Sequence, residues 1–322
     1  MVGEYAHPTA PLSEYPMTTI DRISRNKFRA ARLACTALLA LGLSVASALG
    51  DADQPDATVT SDPSLPASWI PVPGFTAKTK VPHGQIREVM YDNTLLGKIG
   101  ADGRKVSVYT PPGYDPTQKY PVLYALHGIG GNHKEWLSAK PQQILDNLYA
   151  AKKIVPMIVV FPNGRAMNPD TCPKDMYGSA NVQGFYDFWD KDMRDFLIPF
   201  IEKTYSVQAD KEHRAIMGYS MGGMQAVRFG LGNPTYFGYI GGLAPAFRPD
   251  VKTLTADDIN SQYKRFFLSA GTLDSLFKPT ETFSEALTAK GVHHIFVPVE
   301  GAKHDGSTWS PGLYNFAQII FK

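Results

Sequence analysis

The stretch Gly218-Tyr219-Ser220-Met221-Gly222-Gly223 constrains this chain more than any other. Before it runs the short, mostly apolar segment Arg214-Ala215-Ile216-Met217. After it comes Met224-Gln225-Ala226-Val227-Arg228-Phe229, patterned like a helix. A G-x-S-x-G pentad between a strand and a helix makes a sharp turn. Its serine is forced into strained φ/ψ, and its hydroxyl projects from the sheet. Small residues two positions to either side follow from sterics, because a Cβ there would strike the adjacent strand and helix. The helix that follows aims its first N–H groups at the space beside the serine, where a negative oxygen can be held.

Strand-like segments surround this turn: Gln85–Tyr91, Lys105–Thr110, Val122–Leu126, Met157–Phe161, His213–Met217, Tyr239–Leu243, Arg265–Ala270 and His294–Val299. The middle ones are short continuous apolar runs, as expected of strands buried on both faces. Helical patterns fall at Gln142–Ala151, Phe188–Tyr205, Met221–Phe229 and Thr280–Lys290, with Pro199 a predicted irregularity in the second. The alternation predicts an α/β fold, with a mostly parallel central sheet and helices on both faces. Ligands in such sheets bind at the carboxyl ends of the strands.

The N-terminal region reads differently. Arg25, Lys27, Arg29 and Arg32 lead into the apolar run Leu33 to Ala46, and Ala46-Ser47-Ala48 offers a cleavage site. This is the layout of a secretory signal peptide over residues 1–48, too short in its apolar part to span a bilayer. Met17 would give a more ordinary start. Residues 49–68, rich in Asp, Pro, Ser and Thr, read as a flexible tether, and a single domain is expected over 69–322. Cleavage after Ala48 would remove Arg22, Arg25, Lys27, Arg29, Arg32, Glu4, Glu14 and Asp21, leaving equal numbers of basic and acidic residues. No basic surplus then argues for nucleic acid or an anionic membrane as partner. Of the two cysteines only Cys172 would remain, so no intramolecular disulfide is expected and a large core must supply stability.

A serine hydroxyl becomes a nucleophile when a base takes its proton and a third group orients that base. Three histidines follow Ser220: His293, His294 and His304. His293 and His294 begin a strand and point to opposite faces, which suits edge or solvent positions. His304 lies in the polar loop Glu300–Gly306 after the last strand, from which an imidazole can reach the turn, and is the expected base. The acid belongs in the loop after the preceding strand, and Asp274 of Gly271-Thr272-Leu273-Asp274 is there. A helix N-cap is its alternative role. Leu126-His127-Gly128-Ile129-Gly130-Gly131 follows a strand and matches the glycine-rich loop that donates one oxyanion N–H. Ile129 and Met221 are the expected backbone donors, with His127 bonded to loop backbone.

The ordered set Val108-Tyr109-Thr110-Pro111-Pro112-Gly113-Tyr114, Leu126–Gly131, Gly218–Gly223, Gly271–Asp274 and His304 with Trp309 resembles the esterase-D-like α/β-hydrolases. In particular it resembles carbohydrate esterase family one, from about residue 83 to the C-terminus. That resemblance implies an α/β-hydrolase fold and a triad of Ser220, Asp274 and His304. It further implies secreted or periplasmic hydrolysis of feruloyl or acetyl esters on plant-wall polysaccharide. Acyl transfer and siderophore-ester hydrolysis are alternatives on the same fold, and a non-catalytic binding protein is a third. Trp136, Tyr219 and Trp309 are candidate faces for a phenolic acyl group or a sugar ring, with packing under loops as the competing role. Phe185, Tyr186, Phe188 and Trp189 are expected in the core, with Asp187, Asp190, Asp192 and Asp195 on the solvated face. Neither metal-ligand spacing nor a dinucleotide glycine fingerprint in its proper context is present, so no cofactor or metal is expected.

Overall fold

Eight strands form one sheet in the order β1-β2-β4-β3-β5-β6-β7-β8. The computed structural model describes residues 65–94, 103–167, 174–175, 178, 184, 189–246 and 248–322. The strands are β1 (Gln85–Tyr91), β2 (Arg104–Thr110), β3 (Val122–Leu126), β4 (Ile158–Pro162), β5 (Arg214–Tyr219), β6 (Tyr239–Leu243), β7 (Arg265–Gly271) and β8 (Ile295–Val299). β1 and β2 pair antiparallel, as do β2 and β4; every later pairing is parallel. The sheet is therefore mostly parallel, and the fold is that of the α/β-hydrolases.

Period-two alternation divides each central strand between two cores. Val122, Tyr124 and Leu126 of β3 enter one core, while Leu123 and Ala125 enter the other. Helices α1 (Pro141–Ala150) and α7 (Gly306–Ala317) cover the second core through Ile144, Leu145, Leu148, Leu313 and Phe316. The first is covered by α2 (Trp189–Asp192), α3 (Ile198–Thr204), α4 (Met221–Gly232), α5 (Ala256–Gln262) and α6 (Phe277–Ala289). Each large apolar side chain buried this way contributes about 2 kcal/mol of transfer free energy.

Several expectations need adjustment. The helix expected at Phe188–Tyr205 is described from Trp189 and is interrupted by a π-helical turn at Met193–Leu197, just before Pro199. A proline has no N–H for the α-helical ladder, and a wider turn accommodates the gap. Trp189 is buried in the core, but Asp192 is not solvated: it is 1% exposed. Its carboxylate pairs with Arg104 Nε at 3.2 Å, takes the Tyr91 hydroxyl at 2.7 Å and accepts from the Asn93 amide. Helix α7, which was not among the expected helices, begins at the end of the loop that carries His304. Asp305 caps it through the Ser307 N–H at 2.8 Å, and Pro311 in its interior is what hid it in the sequence. Leu65 and Trp69 pack on the second core, and Trp69 O accepts from the Asn315 amide at 2.8 Å, so ordered packing begins slightly inside the expected tether. The expected signal peptide, residues 49–64 of the expected tether, Cys172, Phe185, Tyr186, Asp187 and Phe188 lie outside the described residues.

Candidate active site

Ser220 sits between β5 and α4 with φ 54° and ψ −118°, the left-handed strain that a nucleophile turn imposes. The glycines around it leave no room for a side chain. A Cβ on Gly218 would lie 2.5 Å from the Gly222 backbone, and one on Gly222 would lie 2.6 Å from the carbonyl oxygens of Leu126 and His127. The turn is tied down as well: Ser220 N–H donates to Leu243 O at 2.9 Å, and Ser220 O accepts from Ala246 N–H at 3.0 Å.

The base and acid approach from the loops after β8 and β7. His304 Nε2 lies 3.0 Å from Ser220 Oγ, and His304 Nδ1 lies 2.6 Å from Asp274 Oδ2. Because an ionised carboxylate only accepts, Nδ1 carries the proton and Nε2 is free to accept from the serine. The Asp274 carboxylate is fully buried, whereas the His304 ring is 38% exposed. Asp274 Oδ1 also accepts from Leu276 N–H at 2.8 Å; Leu276, not Asp274, is the N-cap of α6, so this carboxylate oxygen closes the turn before the helix while the other holds the histidine. The two loops are laced by backbone bonds: Thr272 N–H to Val299 O at 3.0 Å and Leu273 N–H to Ala302 O at 2.9 Å. Gly271 is required for this close approach, since its Cβ would fall 2.3 Å from Ala302 O.

On the other side of Ser220, the Gly128–Gly131 turn closes with Gly131 N–H to Gly128 O at 3.2 Å, and Gly130 takes φ +85°. The side chain of Ile129 packs against Met221 and Met224, which brings the two expected donor residues side by side. His127 is fully buried. Its Nδ1 lies 2.6 Å from Gly128 O, and its Nε2 accepts from Gly164 N–H at 2.8 Å. These contacts define the Nδ1–H tautomer, and the 3.1 Å approach of Nε2 to Asn163 Oδ1 is then a contact between acceptors. Burial is the largest cause holding the His127 pKa down, at about 4, so the ring is neutral and its 3.7 Å approach to Glu135 is no salt bridge. The loop carrying Asn163 and Gly164 is itself anchored by Arg104, which donates to Asn163 O at 2.7 Å and to Arg165 O at 2.9 Å.

Glu135 completes this flank and was not foreseen. Its carboxylate lies against the Tyr219 hydroxyl and the Gly128 backbone. One oxygen, Oε2, is buried without a hydrogen-bond partner beside Gly131, where a Cβ would come within 1.6 Å of it. Burial is the largest cause raising the Glu135 pKa above the ordinary carboxylate value. The sequence signal was a carboxylate four residues beyond the glycine-rich turn, next to Trp136.

The three aromatic candidates are buried, the packing role that the sequence offered beside that of substrate faces. Trp136 is 1% exposed and donates its indole N–H to Leu126 O at 3.0 Å. Tyr219 stacks on Trp309 with centroids 4.2 Å apart, and Trp309 presents its face or edge to the His304 ring at 4.9 Å. They support the turn and the imidazole through packing. The exposed apolar side chain at this rim is Leu273, next to Asp274. His294 bonds Ser284 Oγ at 2.6 Å and Val292 O at 3.0 Å, away from this constellation. Among the described residues no group of three or more His, Cys, Asp or Glu could hold a metal ion, and no helix is long and apolar enough to cross a membrane.

Known proteins resemble this chain. A model of the family described as "Putative esterase" matches residues 99–315. An endo-1,4-beta-xylanase/feruloyl esterase of Xylanibacter ruminicola is 32% identical over 256 residues, covering 77% of this chain and 33% of that protein. Endo-1,4-beta-xylanase Y of Acetivibrio thermocellus is 34% identical over 138 residues, which is 39% of this chain and 11% of that protein. This chain thus spans a third or less of these two relatives. A ferulic acid esterase of Anaeromyces mucronatus, solved without substrate and also with ferulic acid, superposes with a TM-score of 0.68 at 27% identity. The match covers 80% of this chain and 98% of that one.

Proposed function

This chain belongs to the esterase family whose model matches residues 99–315, and from that premise we propose that it is a secreted serine carboxylesterase acting on feruloyl or acetyl esters of plant-wall polysaccharide. The observation carrying this reading is the hydrogen-bond chain from Ser220 Oγ through His304 to Asp274 Oδ2. The ester chemistry is supported by the likeness to the ferulic acid esterase, which covers nearly all of that enzyme. Secretion is supported by the leader-like pattern at residues 1–48.

Ser220 Oγ attacks the ester carbonyl carbon as His304 Nε2 takes its proton. The carbonyl oxygen becomes an oxyanion held by the backbone N–H groups of Ile129 and Met221, the latter at the N-terminus of α4. Asp274 keeps Nδ1 protonated and stabilises the imidazolium. His304 then returns the proton to the departing alcohol, leaving an acyl-serine. A water molecule, deprotonated by the same imidazole, attacks the acyl carbon and releases the acid and free Ser220. The exposed side chain of Leu273 offers apolar surface for the acyl group beside this reacting centre.

Turnover of methyl ferulate, acetylated xylan and a catecholate trilactone, compared between wild type and Ser220→Ala, tests the reading. Hydrolysis of the ferulate or acetyl ester should dominate, and the variant should lose at least about a thousandfold in kcat. Preference for the trilactone would move the substrate class, acyl transfer to a sugar acceptor would move the reaction, and full activity in Ser220→Ala would refute the mechanism.

A further inference from the structure

A groove of about 560 Å³, within the size range of small-molecule sites, is formed by segments that adjoin the catalytic loops in sequence. It runs between the segment after β6 and the first turns of α6. Pro249, Val251, Pro279, Phe283 and Ala286 give it apolar walls, and Arg248 and Lys278 are its two cations. Both sides are tied to the catalytic elements. Arg248 Nη1 donates to Pro245 O at 2.6 Å, and the neighbouring Ala246 N–H donates to Ser220 O at 3.0 Å. On the opposite side, α6 begins just after Leu276, whose N–H donates to Asp274 Oδ1.

The charges in the groove are unequally matched. Lys278 is paired with Glu281 at 2.7 Å and reaches Glu285 at 3.9 Å. Asp250 spends one carboxylate oxygen on the N–H of Lys252 at 3.0 Å. Arg248 is half-buried, and its hydrogen bond to the Pro245 carbonyl leaves the rest of the guanidinium without an acidic partner among the described residues. Burial with no compensating carboxylate lowers its pKa. A guanidinium presents a planar fork of donors that matches a carboxylate, and such charge-assisted bonds are about twice as strong as neutral ones.

We propose that this groove is an accessory saccharide subsite in which Arg248 binds the carboxylate of a hexuronate, so that the enzyme favours esters carried on acidic glycan chains. The apolar walls suit the C–H faces of the sugar rings on either side of the acid. The proposal rests on the esterase reading for the presence of a glycan at the rim. The unpaired guanidinium in the groove supplies the charge selectivity.

Calorimetric titration of a glucuronate-bearing xylo-oligosaccharide, which has no ester to cleave, tests the subsite directly against its neutral counterpart. Wild type should bind the acidic oligosaccharide more tightly. Arg248→Gln should weaken that binding about tenfold, with a smaller change for the neutral one. Arg248→Lys, which keeps the charge but loses the fork, should fall between them, and it carries the test if Arg248→Gln does not fold. Feruloylated versions of both oligosaccharides should show the same difference in kcat/KM, beyond any change on methyl ferulate. Equal binding of the acidic and neutral oligosaccharides by wild type would overturn the proposal, as would equal losses on both in Arg248→Gln. Failure of wild type to cleave any ester would instead remove the esterase reading, while the titration would still decide whether the groove selects a uronate.

Discussion

On one flank of Ser220 the base and acid come from loops after β7 and β8 that are stitched together by backbone bonds, and the imidazole remains over a third exposed. On the other flank the oxyanion loop is held by side chains: His127 is fully buried, and Glu135, Tyr219 and Arg104 brace the segments around it. The exposed flank must pass a proton from Ser220 to the leaving alcohol, so its imidazole must be within reach of both. The buried flank must hold two N–H groups still while charge develops, and a dry, fixed polar shell does that best. The two flanks should therefore fail differently when altered.

The largest effect is expected on the first flank. Asp274→Asn preserves an oxygen for the Leu276 N–H but removes the acceptor that fixes the imidazole tautomer, so kcat should fall about 10⁴-fold. Steady-state kinetics and an unfolding curve on the same variant separate the two roles. A loss under about tenfold would leave Asp274 as a turn-closing residue alone and erase the contrast between the flanks.

The second flank should report mainly in stability. The pKa of His127 is lowered in the folded state to about 4, from an ordinary value of 6.5. The unfolded chain thus binds the proton more readily. The stabilisation is complete above pH 6.5 and is lost as pH falls towards 4, to a total of about 3 kcal/mol. Denaturant midpoints measured across that window should drop steeply for wild type and more gently for His127→Gln. Identical slopes would show that this imidazole is not part of a pH-sensitive brace.

The difference between the flanks also explains what could be read before the fold was known. Ser220, Asp274 and His304 were legible because their order and their positions at strand ends carry the signal, and the glycines of the turn mark where backbones must touch. The strands were legible from continuous apolar runs, with Val122–Leu126 and Tyr239–Leu243 matching residue for residue. Asp192 was misread because an acidic residue in a run of aspartates looks solvated; only the fold brings Tyr91 of β1, Asn93 just after it and Arg104 of β2 to it. For Trp136, Tyr219 and Trp309 the sequence left substrate face and packing both open, because composition reports aromatic surface but not which way it points. Glu135 and Arg248 lie near motifs without belonging to them, and their roles depend on neighbours supplied by other loops.

The most direct measurement of the central claim is labelling by a fluorophosphonate, followed by intact mass and peptide mapping. A single adduct on the peptide containing Ser220 is predicted, absent in Ser220→Ala and formed at least about a hundredfold more slowly in His304→Ala. Labelling at another residue, or an unchanged rate without His304, would contradict it.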